Sequence, residues 1–196
     1  MTDPLITDGR TARRERNRTA VLDAVLELFG EDQTYPTPDE VATRSGVSLR
    51  SVYRYFDDRE SLVRSAMEHH YLRIHHLFDL DVGPADPLER RIDGLAAQRL
   101  RLFEEAGPVF RAAIAQAENN ELIKARVLDR RALLVEQVHS LFEPEFAALG
   151  PSGPYVEAAV EVITGFESVD HLRRFRGLSV DETIKVLVEA TGALLR

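Results

Sequence analysis

Arginine spacing is what could do chemistry in this chain. Arg50 and Arg54 stand four apart in the segment LRSVYRYF, so on a helix they share one side. A guanidinium can bond two acceptors of a guanine edge at once, the commonest specific contact in the DNA major groove. Leu49 lies beside them and completes a candidate base-contacting set. Thr37, Ser48, Tyr53 and Tyr55 carry hydroxyls that can donate to phosphates and fix register. A second cluster, Arg10, Arg13, Arg14, Arg16 and Arg18 against only Glu15, can track phosphates or enter a minor groove, or serve as a solubilising tail.

The formal net charge of −8 looks wrong for a nucleic-acid binder, so the distribution of charge decides. Residues 1–60 sum to −3, yet from Val41 to Phe56 there is no acidic residue at all. Two basic patches on an acidic body suit a protein that meets phosphates along one surface and repels them elsewhere.

Bond-making chemistry has little support. The chain lacks cysteine, which excludes disulfides, thiolate zinc sites and cysteine nucleophiles. It has no phosphate-cradling Gly-rich loop, no Gly-x-Ser-x-Gly elbow and no His-Glu-x-x-His. His69, His70, His75 and His76 cluster on one predicted helix, but not at the spacing of paired metal ligands. No metal, no cofactor and no enzymatic activity are expected. No apolar run approaches the roughly 20 residues of a membrane helix, and the N-terminal segment lacks the apolar stretch of a signal peptide. A cytoplasmic protein is expected.

The elements that must position the arginines are all helical. Val21, Ala24, Val25, Leu28 and Phe29 mark one face of a helix over 17–30. A short helix opens behind Thr37-Pro38 and breaks at Gly46, and a second begins at Ser48. Ala42 lets the two helices approach, Gly46 supplies a positive φ, and Val47 and Val52 plug the space between them. The spacing Ala42-x3-Gly46-x5-Val52 is that of a helix-turn-helix, which places its second helix in the major groove. Asp57 or Asp58 caps the next helix, which runs to about Leu80.

Later breaks fall at Gly83-Pro84 and Asp86-Pro87, at Gly107-Pro108, at Asn119-Asn120, at the loop Gly150–Pro154 and at Gly177. They delimit helices at about 88–106, 109–118, 120–146, 155–175 and 179–196. Ser179 and Glu182 form a capping box on the last. The fold class is all-α: an N-terminal three-helix helix-turn-helix domain, then a C-terminal helical bundle. We divide it into a flexible basic arm at 1–16, a DNA-binding domain at 17–63 and a ligand-binding and dimerisation domain at 64–196.

Residues 17–63 resemble the N-terminal domain of TetR-family transcriptional regulators, through Val-Tyr-Arg-Tyr-Phe at 52–56 followed by Arg59-Glu60-Ser61-Leu62. The resemblance implies phosphate contacts at Thr37, Tyr53 and Tyr55. Arg59 stands where the family usually has lysine and would also hold the backbone. Arg50 replaces a more usual small residue, which implies an operator preference of its own. The C-terminal two-thirds match only in helix number and size.

By the same resemblance, the C-terminal region would hold an apolar effector pocket and a dimer contact. Phe103, Phe110, Phe142, Phe146 and Phe166 are the aromatic candidates for the pocket, with Gln98, Gln116, Gln137, His139 or Glu167 for polar contacts, although an aromatic at helical spacing is also ordinary core. The dimer face is sought on 155–175 (Ala158, Ala159, Val162, Gly165, Phe166, Val169) and 179–196 (Ile184, Leu187, Val188, Thr191, Leu194, Leu195). The expected protein is a homodimeric repressor that binds a palindromic double-stranded DNA operator and is released by a small apolar effector. The alternatives are a helical protein-interaction module and a regulator without an effector.

Overall fold

The computed structural model describes residues 4–32 and 35–196. Among them there is no β-strand, and no helix is long and apolar enough to cross a membrane. The helices are α1 (Pro4–Asp32), α2 (Pro38–Ser45), α3 (Leu49–Tyr55), α4 (Arg59–Ile74), α5 (Leu88–Gln116), α6 (Glu121–Ala148), α7 (Gly153–Ile163), α8 (Phe166–Asp170) and α9 (Val180–Leu194). They build two compact units. Unit 1 comprises the chain to Arg73 together with Pro108–Lys124; unit 2 comprises Ile74–Gly107 and Ala125–Arg196. The second unit thus starts later than the sequence reading placed it, and the first recruits the middle of the chain.

Unit 1 is built on α1. Val21, Leu22, Val25 and Leu28 pack with Val41 of α2, Val47 of the turn, Val52 of α3 and Phe56 at its C-cap, and Leu62 and Ala66 of α4. Gly46 closes α2 at φ 67°, the left-handed conformation in which glycine escapes the Cβ penalty. Thr37 caps α2 in a full capping box: its Oγ1 accepts from the Glu40 amide at 3.3 Å, and Glu40 Oε2 accepts from the Thr37 amide at 2.6 Å. At α4, Asp58 supplies the cap, its Oδ1 accepting from the Ser61 amide at 2.7 Å.

Several boundaries differ from the sequence reading. From Pro4 on, the proposed flexible arm is helix and continues into the rest of α1 without a break, while its residues 1–3 lie outside the described residues. TARRER contains neither Pro nor Gly, and Arg and Ala are strong helix formers, so nothing in it ends the helix. Gly107-Pro108 does not end α5, which runs to Gln116. Pro108 is exposed, so water can meet the carbonyl that its missing N–H leaves unpaired. Helix α4 stops at Ile74 and becomes a 3-10 turn over His75–Phe78. The predicted helix 155–175 is broken at Thr164–Gly165.

Unit 2 packs around two apolar clusters. One joins Ile92 and Leu95 of α5 to Val138, Leu141, Phe142 and Phe146 of α6 and Val160 of α7. The other joins Ala96, Leu100 and Phe103 of α5 to Val169 of α8 and Leu187 of α9. Gly153 opens α7 tightly against α6, since a Cβ there would lie 2.3 Å from the Phe146 carbonyl oxygen. Ser179 and Glu182 form the capping box of α9, as the sequence predicts.

Candidate nucleic-acid interface

Helix α3 has one face buried and one presented. Val52 is 2% exposed and Phe56 5%, which turns Arg50, Tyr53 and Arg54 outward, with Leu49 half-buried beside them. The three arginines of the acid-free stretch are not equivalent. Arg44 is neutralised by α1: its Nη2 lies 2.8 Å from Glu31 Oε2 and its Nη1 3.4 Å from Glu27 Oε2. The hydrogen bond to Arg44 holds the Glu31 carboxyl below its ordinary value, and Arg44 is raised in turn. Arg54 leans on its neighbour, with its guanidinium 5.3 Å from the Tyr55 ring centroid and Nη2 donating to the Tyr55 hydroxyl at 3.4 Å. Arg50 is exposed and, among the described residues, has no charged or hydrogen-bonding partner.

The hydroxyl groups divide similarly. Thr37 spends its oxygen on the cap of α2 and also donates to Glu40 Oε2 at 2.8 Å. These bonds from the Thr37 backbone and side chain hold the Glu40 carboxyl low. Ser48 sits at the N-cap of α3 but makes no side-chain capping bond; its hydroxyl donates to Ser51 Oγ at 3.0 Å. Tyr53 is 54% exposed, whereas Tyr55 is half-buried and packs on the unit 1 core.

Arg59 is anchored from a distance in sequence. Its Nη2 donates to the Tyr35 carbonyl and its guanidinium lies 5.6 Å from the Tyr35 ring centroid. Burial pushes the Tyr35 hydroxyl up to about 12, against a smaller opposing effect of Arg59. Nothing local in the sequence announces a contact 24 residues apart.

The basic cluster lies on α1 itself. Arg10, Arg13 and Arg14 are exposed. At 100° per residue, Arg10, Arg13, Arg14 and Arg18 fall within about 140° of the helix circumference. Arg18 ends this stripe over the Phe56 ring, 5.4 Å from its centroid, at the residue that closes α3. Arg18 is the contact that the sequence reading missed. The only available signal was its i+4 and i+8 spacing from Arg14 and Arg10, which counts only once the arm is helical.

The pocket candidates do not form one group. Phe103 and Phe166 pair at 5.5 Å between centroids, while Phe142 belongs with Phe146 at 6.3 Å in the other cluster. Phe110 lies in unit 1. Gln98 is fully buried, donating to the Phe78 carbonyl at 3.1 Å. Elsewhere in unit 2, a groove of about 320 Å³ is lined by Leu77, Ala97, Leu100, Arg101, Glu104 and Ile184 among others, and by none of the predicted set.

The predicted dimer face also splits. Val169, Leu187, Thr191 and Leu195 are monomer core. Between Gly153 and the end of α9 the exposed large apolar side chains are Tyr155 (79%) and Val162 (69%) on α7, Phe175 (80%) beyond α8, and Val180 and Val186 on α9, while α6 of the same unit exposes Leu128, Leu133 and Val135. Tyr155 and Val162 are seven residues apart and so share a face.

No protein-family model matches this chain. It is 30% identical over 109 residues to the HTH-type transcriptional repressor LfrR of Mycolicibacterium smegmatis, an alignment covering 56% of this chain and 53% of that protein. The chain thus spans about half the length of this curated relative. Among solved structures, a protein assigned to the TetR-family transcriptional regulators from Rhodococcus sp. superposes with a TM-score of 0.70 at 16% identity, over 92% of this chain and 99% of that one. A TetR-family transcriptional regulator from Streptomyces coelicolor gives 0.68 at 21% identity, over 92% and 80%.

Proposed function

We propose that this chain, which has the fold of the TetR-family transcriptional regulators, is a homodimeric DNA-binding repressor whose hold on a palindromic operator is released by a small molecule in unit 2. The observation that carries DNA binding is Arg50: an unpaired guanidinium on the outward face of a helix whose other face is locked into a core. A cation held in that way is pre-positioned for a base edge. Arg54 joins it by leaving the Tyr55 ring, and Leu49 adds apolar contact beside them. Thr37, Ser48, Tyr53, Tyr55 and Arg59 ring α3 and contact phosphates. Arg10, Arg13 and Arg14 extend that contact along α1.

A helix-turn-helix of this kind reads two half-sites about one helical turn apart, which requires two copies. The exposed apolar face of α7 and α9 supports pairing between copies. A ligand weakens DNA binding only in so far as it binds the non-DNA conformation more tightly.

Selection of binding sites from random double-stranded DNA with the purified full chain tests the central claim. A two-fold symmetric consensus is the expected result. Failure to enrich any sequence would remove the DNA-binding reading and leave a helical interaction module as the alternative.

A further inference from the structure

Helix α5 buries two arginines in unit 2, and only one of them has a counter-ion. Arg91 is 6% exposed and paired with Glu145 through two bonds, Nη1 to Oε2 at 2.9 Å and Nη2 to Oε1 at 2.6 Å. Arg99 lies eight residues further along and is 4% exposed. Among the described residues no carboxylate lies within ion-pair distance of it. Its guanidinium donates to neutral acceptors: Gln98 Oε1, Gln137 Oε1 at 2.8 Å and the Leu134 carbonyl at 3.0 Å. Burial brings Arg99 down to about 9, which still leaves it charged at neutral pH.

A full charge surrounded only by amide and carbonyl dipoles is costly to enclose unless an opposite charge joins it. The protein shows on the same helix how it pairs such a group when pairing is structural. We propose that Arg99 anchors the carboxylate of an otherwise apolar, singly charged ligand, which takes the acceptor positions now filled by the Gln98 and Gln137 side-chain oxygens. Both carboxylate oxygens fit one guanidinium fork, whereas each amide offers a single oxygen. The rest of the ligand is apolar because Arg99 stands on α5 between Leu95 and Phe103, members of the two apolar clusters.

The displaced amides have a second duty. Gln98 and Gln137 both donate to the carbonyl of Phe78, the last residue of the 3-10 turn that follows α4. A ligand that turns these amides therefore frees the chain segment leading out of α4. This proposal rests on the ligand-responsive reading above and supplies its ligand class.

Thermal unfolding of the full chain with matched pairs tests it: octanoate with octanamide, benzoate with benzamide, and 2-naphthoate with 2-naphthamide. At least one carboxylate is expected to raise Tm by several degrees while its amide does not, and Arg99→Gln should abolish the difference. Should Arg99→Gln fail to fold, Gln137→Glu serves instead, because it places a carboxylate where an oxygen already sits 2.8 Å from Arg99. That variant should unfold at higher temperature without ligand, ignore added carboxylates and bind the selected operator at least tenfold more weakly. Equal shifts by acid and amide, no shift by any of the three carboxylates, or an undiminished carboxylate response in Gln137→Glu would each overturn the proposal. Release of operator by a neutral compound alone would sink the Arg99 site and leave the ligand-responsive reading standing.

Discussion

The Arg18 guanidinium lies 5.4 Å from the centroid of the Phe56 ring, so α1 touches the residue that closes α3. A contact of this kind contributes about 0.5–1 kcal/mol at an exposed site. The azimuth of α1 is set by its buried face, Val21, Leu22, Val25 and Leu28, and the Arg18 contact lies on the same stripe as Arg10 and Arg14.

If that stripe meets phosphates, the double substitution Arg10→Ala with Arg14→Ala weakens binding uniformly across operator sequences. Each lost phosphate contact flattens the slope of log K against log salt by about 0.9, so the pair should remove roughly 2 units. Titrations from low to moderate salt measure this. An unchanged slope would reduce the stripe to a solvated surface.

Arg50→Ala should cost about 1–3 kcal/mol of discrimination at one base position and relax selectivity there. Arg54→Ala should cost less, because Arg54 must first leave the Tyr55 ring and hydroxyl. Competition binding with single-base operator variants ranks the two. Equal selectivity in both variants and the wild type would show that neither side chain reads bases.

Gly46→Ala places a Cβ in open space but forces a non-glycine residue to φ 67°. The left-handed conformation should lower unfolding free energy by roughly 1–2 kcal/mol, and Gly46→Asn by less. Urea denaturation of the three proteins distinguishes this backbone cost from lost packing.

The Arg91–Glu145 pair ties α5 to α6. The hydrogen bond from Arg91 holds the Glu145 carboxyl below its ordinary value. A carboxyl lowered by folding contributes stability that is present above the unfolded-state pKa and lost as pH falls through the folded one. Glu145→Ala leaves a buried guanidinium unpaired and should cost about 3–5 kcal/mol at pH 7. The gap from wild type should narrow below the ordinary carboxyl range, near pH 4. Equilibrium unfolding at several pH values provides the test, and a gap independent of pH would contradict the assignment.

Tyr155→Glu with Val162→Glu should leave the monomer fold intact, because both side chains are largely exposed on α7. If that face joins two copies, light scattering after gel filtration should report half the mass of the wild type. Affinity for a full palindrome should fall with it. A dimer of unchanged mass would move the interface elsewhere.

Local chemistry alone determined a good deal of this protein. Thr37-Pro38, Gly46, Asp58 and the Ser179–Glu182 pair act within a few residues of themselves, so the caps and turns of the helix-turn-helix were legible in the sequence. The buried and exposed faces of α3 followed from a 3.6-residue period. The helical course of residues 10–16 and of Pro108 was decided by the continuity of α1 and α5, where a local break signal, or the lack of an apolar face, misleads. The distant partners of the arginines belonged wholly to the tertiary structure. Arg44 meets Glu31, Arg59 reaches Tyr35, Arg91 finds Glu145, and Arg99 finds no acid among the described residues. Spacing places a guanidinium on a helix face; what neutralises it is set by which other helix packs there. Burial on α7 and α9 obeys the same logic. Leu187 and Val162 read alike as apolar helix positions, and only packing made one core and left the other at the surface.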